Sequence, residues 1–154
     1  RWPAGFRSSY LRGPNGTGKF HLMAGSGRPL TEWVERLAVH AKRVFAIGSC
    51  TAYGGFSAST PGNPLEACGL QYDTDEMGGL LGKTYVSGSG LPVVNIAGCP
   101  THPGWVVDTL EKLALEGLSA SDLDEYGRPL LYADQLVHHG CPRNEYYEFK
   151  ACAI

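Results

Sequence analysis

The sequence is short of charge of either sign, and it lacks a long uninterrupted apolar run. Charged residues make up 18% of its 154 residues and the net charge is -2, so the basic surface that nucleic acids or anionic membranes attract is absent. No stretch approaches the roughly 18 apolar residues of a membrane span. We therefore expect neither a nucleic-acid partner nor a membrane-spanning helix.

The five cysteines form neither an even set nor a close pair. An odd number, widely spaced, argues against a complete disulfide framework, and no Cys-x-x-Cys occurs anywhere in the chain. Metal-bound or reduced thiols in an intracellular setting fit this usage better. The cysteines are Cys50, Cys68, Cys99, Cys141 and Cys152.

Glycine and proline are abundant, with 21 and 10 copies, but they do not form a low-complexity tract. Many lie in one long passage, residues 51–90, which separates two short apolar runs. A connection of this length inside a compact domain is usually functional or forms an interface. We therefore expect shaped loops around a bound group.

The apolar pattern predicts an α/β fold with a parallel sheet. Residues 44–47 are a short, continuous apolar run, as expected of a buried parallel strand, and residues 93–96, which include Asn95, are predicted to be a second buried strand. Thr31 predicts the start of a helix over 32–43, and Pro103 suits the first turn of a second helix that ends near 118. Further predictions are a third strand at 130–132 and a short helix at 143–150.

A cysteine follows each of the two predicted strands. Cys50 comes after Gly48-Ser49 and Cys99 directly after Gly98, so both thiols are expected at the carboxyl end of the sheet, where open α/β sheets place their ligands. Thiolates hold iron–sulfur clusters, usually four to a cluster. From strand-end position alone, a pair of buried free thiols is the commoner case.

The surrounding residues favour the cluster. The segment AIGSCTAYGG at residues 46–55 resembles the third-cysteine loop of the proximal four-iron cluster in the small subunits of nickel–iron hydrogenases, and NIAGCPTHPGW at residues 95–105 resembles the fourth. The resemblance implies that Cys50 and Cys99 are cluster ligands. The family's first two ligands form a Cys-x-x-Cys after its first strand, so we expect this chain to begin after that motif.

A third segment, LVHHGCPRNE at residues 136–145, carries a His-x-x-Cys. Alone this spacing is weak, since a surface histidine is the commoner case. Here it resembles the family's distal four-iron site, in which a histidine ligand precedes a cysteine by three residues. The resemblance therefore implies that His138 and Cys141 are ligands of a distal cluster.

The resemblance also implies a fold and a function. The fold is a flavodoxin-like parallel-sheet domain, incomplete at the N-terminus, over 1–126, and 127–154 begin the cluster-binding C-terminal region. Its cofactors would be four-iron proximal and distal clusters and, in a full-length subunit, a three-iron medial cluster. A large subunit, the heterodimer partner, would hold the nickel–iron centre and oxidise hydrogen. This chain would carry the electrons and would not be catalytic alone.

The other polar residues are weaker candidates for cluster ligands. Cys68 and Cys152 match no ligand position of the family, so they are interpreted as thiols that bind no cluster. His139 neighbours a ligand without matching one. We expect His102 to hydrogen-bond within its own loop rather than to a cluster sulfide.

Two rival functions remain open. One is the iron–sulfur subunit of respiratory complex I, which shares the loops around Cys50 and Cys99 but lacks the His-x-x-Cys segment. The other is a non-redox, flavodoxin-like binding module with incidental thiols. Within the hydrogenases, residues 11–16, 66–72 and 137–141 resemble the cytosolic uptake and hydrogen-sensing branch, which predicts a cytoplasmic protein.

Overall fold

The structure is a computed structural model that describes residue 23 and residues 25–63 and 67–134. The chain contains both helices and short strands, as the sequence predicts. The helices are α1 (Leu30–His40), α2 (Ser49–Tyr53), α3 (Gly55–Ala58), α4 (Pro103–Leu115) and α5 (Leu130–Ala133), with a 3-10 turn at Ala120–Asp122. The strands are β1 (Phe45–Ile47), β2 (Tyr72–Asp73), β3 (Glu76–Met77) and β4 (Val94–Ile96).

The two apolar runs form the parallel pair that the sequence predicts. Strand β1 pairs with β4 in a register that places Phe45 opposite Val94 and Ile47 opposite Ile96. All three residues of β4 are buried. A strand without an exposed face needs an internal partner for its polar side chain, and Asn95 Nδ2 donates to Tyr126 O at 2.8 Å.

The core lies on both faces of this pair. On one face Ala46 and Val93 pack with Ala52 of α2, which fastens that short helix to the sheet. On the other face Val94 packs with two leucines from flanking loops, Leu91 and Leu118. Small residues at the β1–α2 contact let the helix lie close to the strand.

The long glycine-rich passage is folded over its described residues. It begins within α2, contains α3 and the β2–β3 hairpin, and then returns to β4. Gly69 lies so close to α2 that a Cβ there would overlap the Ala52 carbonyl group, and Leu70 N–H donates to Thr51 O at 2.8 Å. The glycines therefore allow the second half of the passage to pack directly on the helix backbone.

Helix α1 starts and ends earlier than predicted. It covers Leu30–His40 and follows Pro29, so Thr31 lies inside it and caps nothing. Its C-terminal end is set by tertiary contacts. The carbonyl groups of Ala41 and Lys42 accept hydrogen bonds from Gly88 and Ser89 at 2.9 and 3.0 Å, which draws these residues out of the helix.

Two further predictions are wrong. The expected strand at 130–132 is the helix α5, which begins directly after Pro129. A short apolar run does not distinguish strand from helix, and proline suits a helix start. Helix α4 ends at Leu115 rather than near 118, and Gly117 beyond it has a φ of 84°.

A turn at residues 124–128 is anchored to the core by buried donors. Tyr53 Oη and Asn95 Nδ2 both donate to Tyr126 O, at 3.0 and 2.8 Å, and Tyr72 Oη donates to Glu125 O at 2.8 Å. These donors come from α2, β4 and β2. The turn before α5 is thus fixed to the same elements that lead to the two cysteines.

The expected helix at 143–150 lies outside the described residues, and the domain division at 126/127 stays a prediction. Over the described ranges, no helix is long and apolar enough to cross a membrane.

Candidate functional site

The parallel pair brings two cysteines to the same end of the sheet. Ile47 and Ile96 are opposite each other at the ends of β1 and β4, and Cys50 and Cys99 each follow three residues later. Both cysteines are exposed and neither forms a disulfide. Neighbouring strands are about 4.8 Å apart, so the equal spacing starts both loops from adjacent points.

Backbone hydrogen bonds join the Cys50 loop (residues 48–55) to the Cys99 loop (residues 97–102). Gly48 N–H donates to Ile96 O at 2.9 Å, and Ser49 N–H donates to Gly98 O at 3.0 Å. Gly98 N–H donates in return to Ser49 Oγ at 3.1 Å. The hydrogen bonding of the β1–β4 pair therefore continues into the two loops and fixes the position of the Cys50 loop relative to the Cys99 loop.

The Cys50 loop turns at once into a helix. Gly48 precedes α2 with a φ of 95°, a conformation that glycine adopts without strain, and Cys50 is the second residue of α2. Gly55 follows on the same side. A Cβ at Gly55 would lie 2.6 Å from Cys50 Sγ, so glycine keeps this side of the thiol clear.

The Cys99 loop is held mainly by its own hydrogen bonds. Thr101 Oγ1 lies 3.3 Å from both Ile96 O and Gly98 O, the latter at a glycine with a φ of 151°. The Cys99–Pro100 peptide bond is cis. These features turn the chain sharply before α4 and leave Cys99 exposed at the turn.

His102 hydrogen-bonds within its own loop, as expected. Its Nδ1 accepts a hydrogen bond from Gly104 N–H at 3.2 Å and so caps α4, whose first residue is Pro103. A neutral His102 ring therefore carries its proton on Nε2. The ring also lies 5.7 Å from the Trp105 ring, which stacks on Tyr132 with centroids 4.6 Å apart and planes 6° apart.

The ion pairs of the described residues lie away from the two thiols. They join Arg28 to Glu32, Lys112 to Glu116 and Asp122, and Arg128 to Asp124. Behind Cys50, burial raises the pKa of Tyr53 well above its usual value, with Arg128 partly opposing the shift, so the phenol stays neutral. The Cys50 loop is therefore supported by a neutral, hydrogen-bonded core.

A cavity of about 220 Å³ opens beside Cys50. Cys68 lies on its wall with Cys50, whereas Cys99 does not. Sequence reasoning set Cys68 aside because it matches no ligand position. Gly69 directly after it was the available signal, since that glycine brings the Cys68 segment against α2.

The donors fit one side of an iron–sulfur cluster. Cys50 and Cys99 offer soft sulfur atoms beside glycines that admit a bulky group. A complete cluster needs more: within the described residues, no three metal-binding side chains converge. His138 and Cys141, the other predicted ligands, lie outside the described residues, as do His139 and Cys152.

Comparison with known proteins gives a family match. Residues 12–113 match the family described as NADH ubiquinone oxidoreductase, 20 Kd subunit. This region includes both cysteine loops and ends within α4. It does not reach residues 135–154.

Curated relatives match more of the chain. The F420 non-reducing hydrogenase I small subunit of Methanosarcina mazei is 34% identical, over 91% of this chain and 38% of the relative. The periplasmic NiFe hydrogenase small subunit of Solidesulfovibrio fructosivorans is 34% identical, over 80% of this chain and 33% of the relative. The chain thus spans 33–38% of the length of these relatives.

Solved structures share the fold. An actinobacterial-type NiFe-hydrogenase from Ralstonia eutropha superposes with a TM-score of 0.63 at 39% identity, covering 79% of this chain and 34% of that one. A recombinant NiFeSe hydrogenase from Desulfovibrio vulgaris Hildenborough gives 0.65 at 27% identity, covering 94% and 50%. The mixed helix–strand arrangement with a parallel sheet is therefore that of hydrogenase structures.

Proposed function

The chain belongs to the family described as NADH ubiquinone oxidoreductase, 20 Kd subunit, and on that premise we propose that it acts within the electron-transferring small subunit of a nickel–iron hydrogenase. In this role Cys50 and Cys99 are two ligands of the proximal four-iron cluster. The cluster accepts and releases one electron at a time when bound. The oxidised substrate is hydrogen, and the partner is a large subunit that holds the nickel–iron centre.

One observation carries the proposal. Cys50 and Cys99 follow paired strand residues by the same number of positions, and hydrogen bonds join the loops that present them. Two incidental thiols have no reason to share a strand register. A shared ligand does give that reason, because it requires both sulfurs at a fixed separation.

The residues around the two thiols position them and leave space for a cluster to bind. Gly55 clears the space beside Cys50 Sγ, and Thr101 holds the turn that exposes Cys99. Backbone N–H groups and burial around cluster sulfurs tune reduction potential. The loops therefore set both the position of a cluster and its potential.

His138 and Cys141 are proposed as two ligands of the distal four-iron cluster. A neutral imidazole in place of an anionic thiolate leaves that cluster with less negative charge and a higher potential. The support is the His-x-x-Cys spacing with its surrounding residues, and the hydrogenase relatives that match most of the chain. A three-iron medial cluster and a cytoplasmic location complete the proposal.

A complex I-type subunit is the second candidate, favoured by the description of the family that matches residues 12–113. Both cysteine loops fall inside that match, so they do not distinguish a complex I-type subunit from a hydrogenase small subunit. The hydrogenase small subunits favour the first candidate because they match up to 91% of the chain. Replacing His138 by Cys in the complete subunit discriminates further: we expect a lower potential for the distal cluster, with no change in His139→Ala.

The direct test replaces each ligand in a complete small subunit that is produced with its large subunit. We expect Cys50→Ser and Cys99→Ser each to remove the electron paramagnetic resonance signal of the proximal cluster and hydrogen-driven dye reduction. Cys152→Ser is the matched control and should retain both.

A subunit with Cys99→Ser that keeps the proximal signal and full dye reduction would disprove the ligand assignment. Iron content and subunit association are measured in parallel. A variant that associates normally but lacks iron shows lost ligation rather than lost folding.

A further inference from the structure

One side chain of the Cys50 loop forms a hydrogen bond with the Cys99 loop. Ser49 directly precedes Cys50, and Gly98 directly precedes Cys99. Ser49 N–H donates to Gly98 O at 3.0 Å, and Gly98 N–H donates to Ser49 Oγ at 3.1 Å. The two residues that come just before the proposed ligands are therefore joined by a pair of hydrogen bonds, and one of these two bonds needs a side-chain oxygen.

The need for a side-chain oxygen follows from the register of the sheet. Ile47 is opposite Ile96, and Gly48 N–H donates to Ile96 O at 2.9 Å. If the parallel ladder continued regularly, Gly98 N–H would donate to Gly48 O. Gly48 O instead accepts from Ala52 N–H at 2.9 Å, as the first hydrogen bond of α2. The start of α2 thus turns away the acceptor that the sheet would offer to Gly98 N–H.

Ser49 Oγ supplies the acceptor that the strand does not. A serine at a helix start usually accepts from a backbone N–H of its own helix, but among the residues that the structure describes no side chain caps α2. The Ser49 hydroxyl is bonded to the other loop instead. The nearby Thr101 hydroxyl contacts the carbonyl oxygens of Ile96 and Gly98 rather than this donor. An alanine at position 49 would therefore deprive the half-buried Gly98 N–H of its acceptor.

We propose that Ser49 is a positioning residue whose hydroxyl holds Cys50 and Cys99 at the separation that a shared cluster requires. The inference rests on the proposed function and assigns a role to a side chain that is not itself a ligand. Hydrogen bonds to the sulfurs and solvent exposure set the reduction potential of a cluster. A freed Gly98 N–H, and any water that replaces Ser49 Oγ, would both favour the more negative, reduced state. Loss of the hydroxyl should therefore raise the potential.

The test uses the complete small subunit produced with its large subunit. Ser49→Ala removes the acceptor, whereas Ser49→Thr keeps a hydroxyl and should restore the parental behaviour. With an iron chelator present, we expect the paramagnetic signal of the proximal cluster to decay about 2–10 times faster in Ser49→Ala, the range that the net free energy of one hydrogen bond allows. A redox titration should show an upward shift of the proximal potential and no shift for the other clusters.

Ser59→Ala is the matched control. Ser59 Oγ donates to Gly55 O at 3.1 Å, at the exposed end of its own helix, and so does not link the two loops. It should change neither the decay rate nor the potential. A Ser49→Ala variant that is less stable in urea but keeps the parental potential would overturn the proposal, because the hydroxyl would then support the fold alone. A Ser49→Thr variant that behaves like Ser49→Ala would also contradict it.

A second measurement does not depend on a cluster signal. Amide hydrogen exchange at Gly98 is followed in the same heterodimers by mass spectrometry with fragmentation to single residues. We expect faster exchange at Gly98 in Ser49→Ala and parental exchange in Ser59→Ala, and an equally protected Gly98 amide in Ser49→Ala would overturn the proposal. If Cys50→Ser and Cys99→Ser keep the proximal cluster, the proposed function fails. If they lose it while Ser49→Ala matches Ser59→Ala, only the role of Ser49 is wrong.

Discussion

The two cysteine loops begin alike and are held in different ways. Each leaves the sheet at a paired isoleucine, and hydrogen bonds between Ser49 and Gly98 join the two loops. Beyond these shared bonds, the Cys50 loop packs on the glycine-rich passage, whereas the Cys99 loop has hydrogen bonds of its own through Thr101 and His102. The first loop should therefore respond to substitutions far along the chain, and the second mainly to its own residues.

The largest effect is expected at Gly69, where the Cys50 loop meets the glycine-rich passage. In Gly69→Ala the new Cβ overlaps the Ala52 carbonyl group, which is backbone and cannot rotate away. We expect the free energy of unfolding to fall by about 3 kcal/mol or more, at the upper end for overpacking. Urea denaturation of the complete subunit measures it.

Gly62→Ala is the control for Gly69→Ala. Gly62 has a φ of 76° and open space around it, so the cost should be about 1–2 kcal/mol from the left-handed conformation alone. An equal loss in the two variants would mean that packing on α2 is not what supports the Cys50 loop.

Gly55→Ala should have the next largest effect, because it crowds the thiol itself. Its Cβ would lie 2.6 Å from Cys50 Sγ and 2.9 Å from Cys50 Cα, at a φ of 57°. We expect a loss of about 2–4 kcal/mol, combining left-handed strain with overpacking. Gly90→Ala shares the positive φ, 78°, without neighbours, so the difference between the two variants isolates the crowding.

Thr101→Val tests the other loop. It removes the hydroxyl that lies 3.3 Å from Ile96 O and Gly98 O and keeps the shape of the side chain. We expect a loss of about 0.5–1.5 kcal/mol in the free energy of unfolding. Cys99 should be alkylated faster, while the alkylation rate of Cys50 stays unchanged.

Thr60→Val is the matched control, since Thr60 Oγ1 donates to Phe56 O at an exposed helix end. It should change neither alkylation rate. If Thr101→Val speeds alkylation of both cysteines equally, the loops open together and the contrast between them fails.

Tyr132→Phe should have the smallest effect at neutral pH, because phenylalanine keeps the stack on Trp105. Burial raises the pKa of Tyr132 to about 12, so between pH 10 and 12 the unfolded chain releases this proton while the folded chain retains it. Stability from this group is therefore complete below pH 10 and is lost as pH rises toward 12.

Unfolding measured from pH 9 to 12 should fall less steeply in Tyr132→Phe than in the parent chain. The comparison is made between variants because burial also raises the pKa of Tyr53, Tyr72 and Tyr85. Identical slopes would mean that Tyr132 does not stay protonated in this window.

The sequence predicted the sheet pair and the helix at Pro103, because short, mainly apolar runs and a first-turn proline carry clear local signals. It failed at 130–132, where Leu130, Leu131 and Tyr132 suit a short strand as well as a helix. The position of Cys50 and Cys99 at one end of the sheet was predictable because both follow strands of one parallel pair, whereas their role as ligands stays a prediction. The position of Cys68 on the same cavity wall as Cys50 was not predictable, because it depends on tertiary packing at Gly54 and Gly69.

The anchored turn at residues 124–128 limits how far the following chain can reach. The side chains of Tyr53, Tyr72 and Asn95 hydrogen-bond to the turn, and α5 ends at Ala133 soon after it, so the chain continues from a point that the core holds in place. Cys141 is seven residues past Asp134, and its Cα can therefore lie no more than about 24 Å from that of Asp134. Whatever Cys141 binds must therefore lie inside that sphere or within one cysteine side chain of its surface.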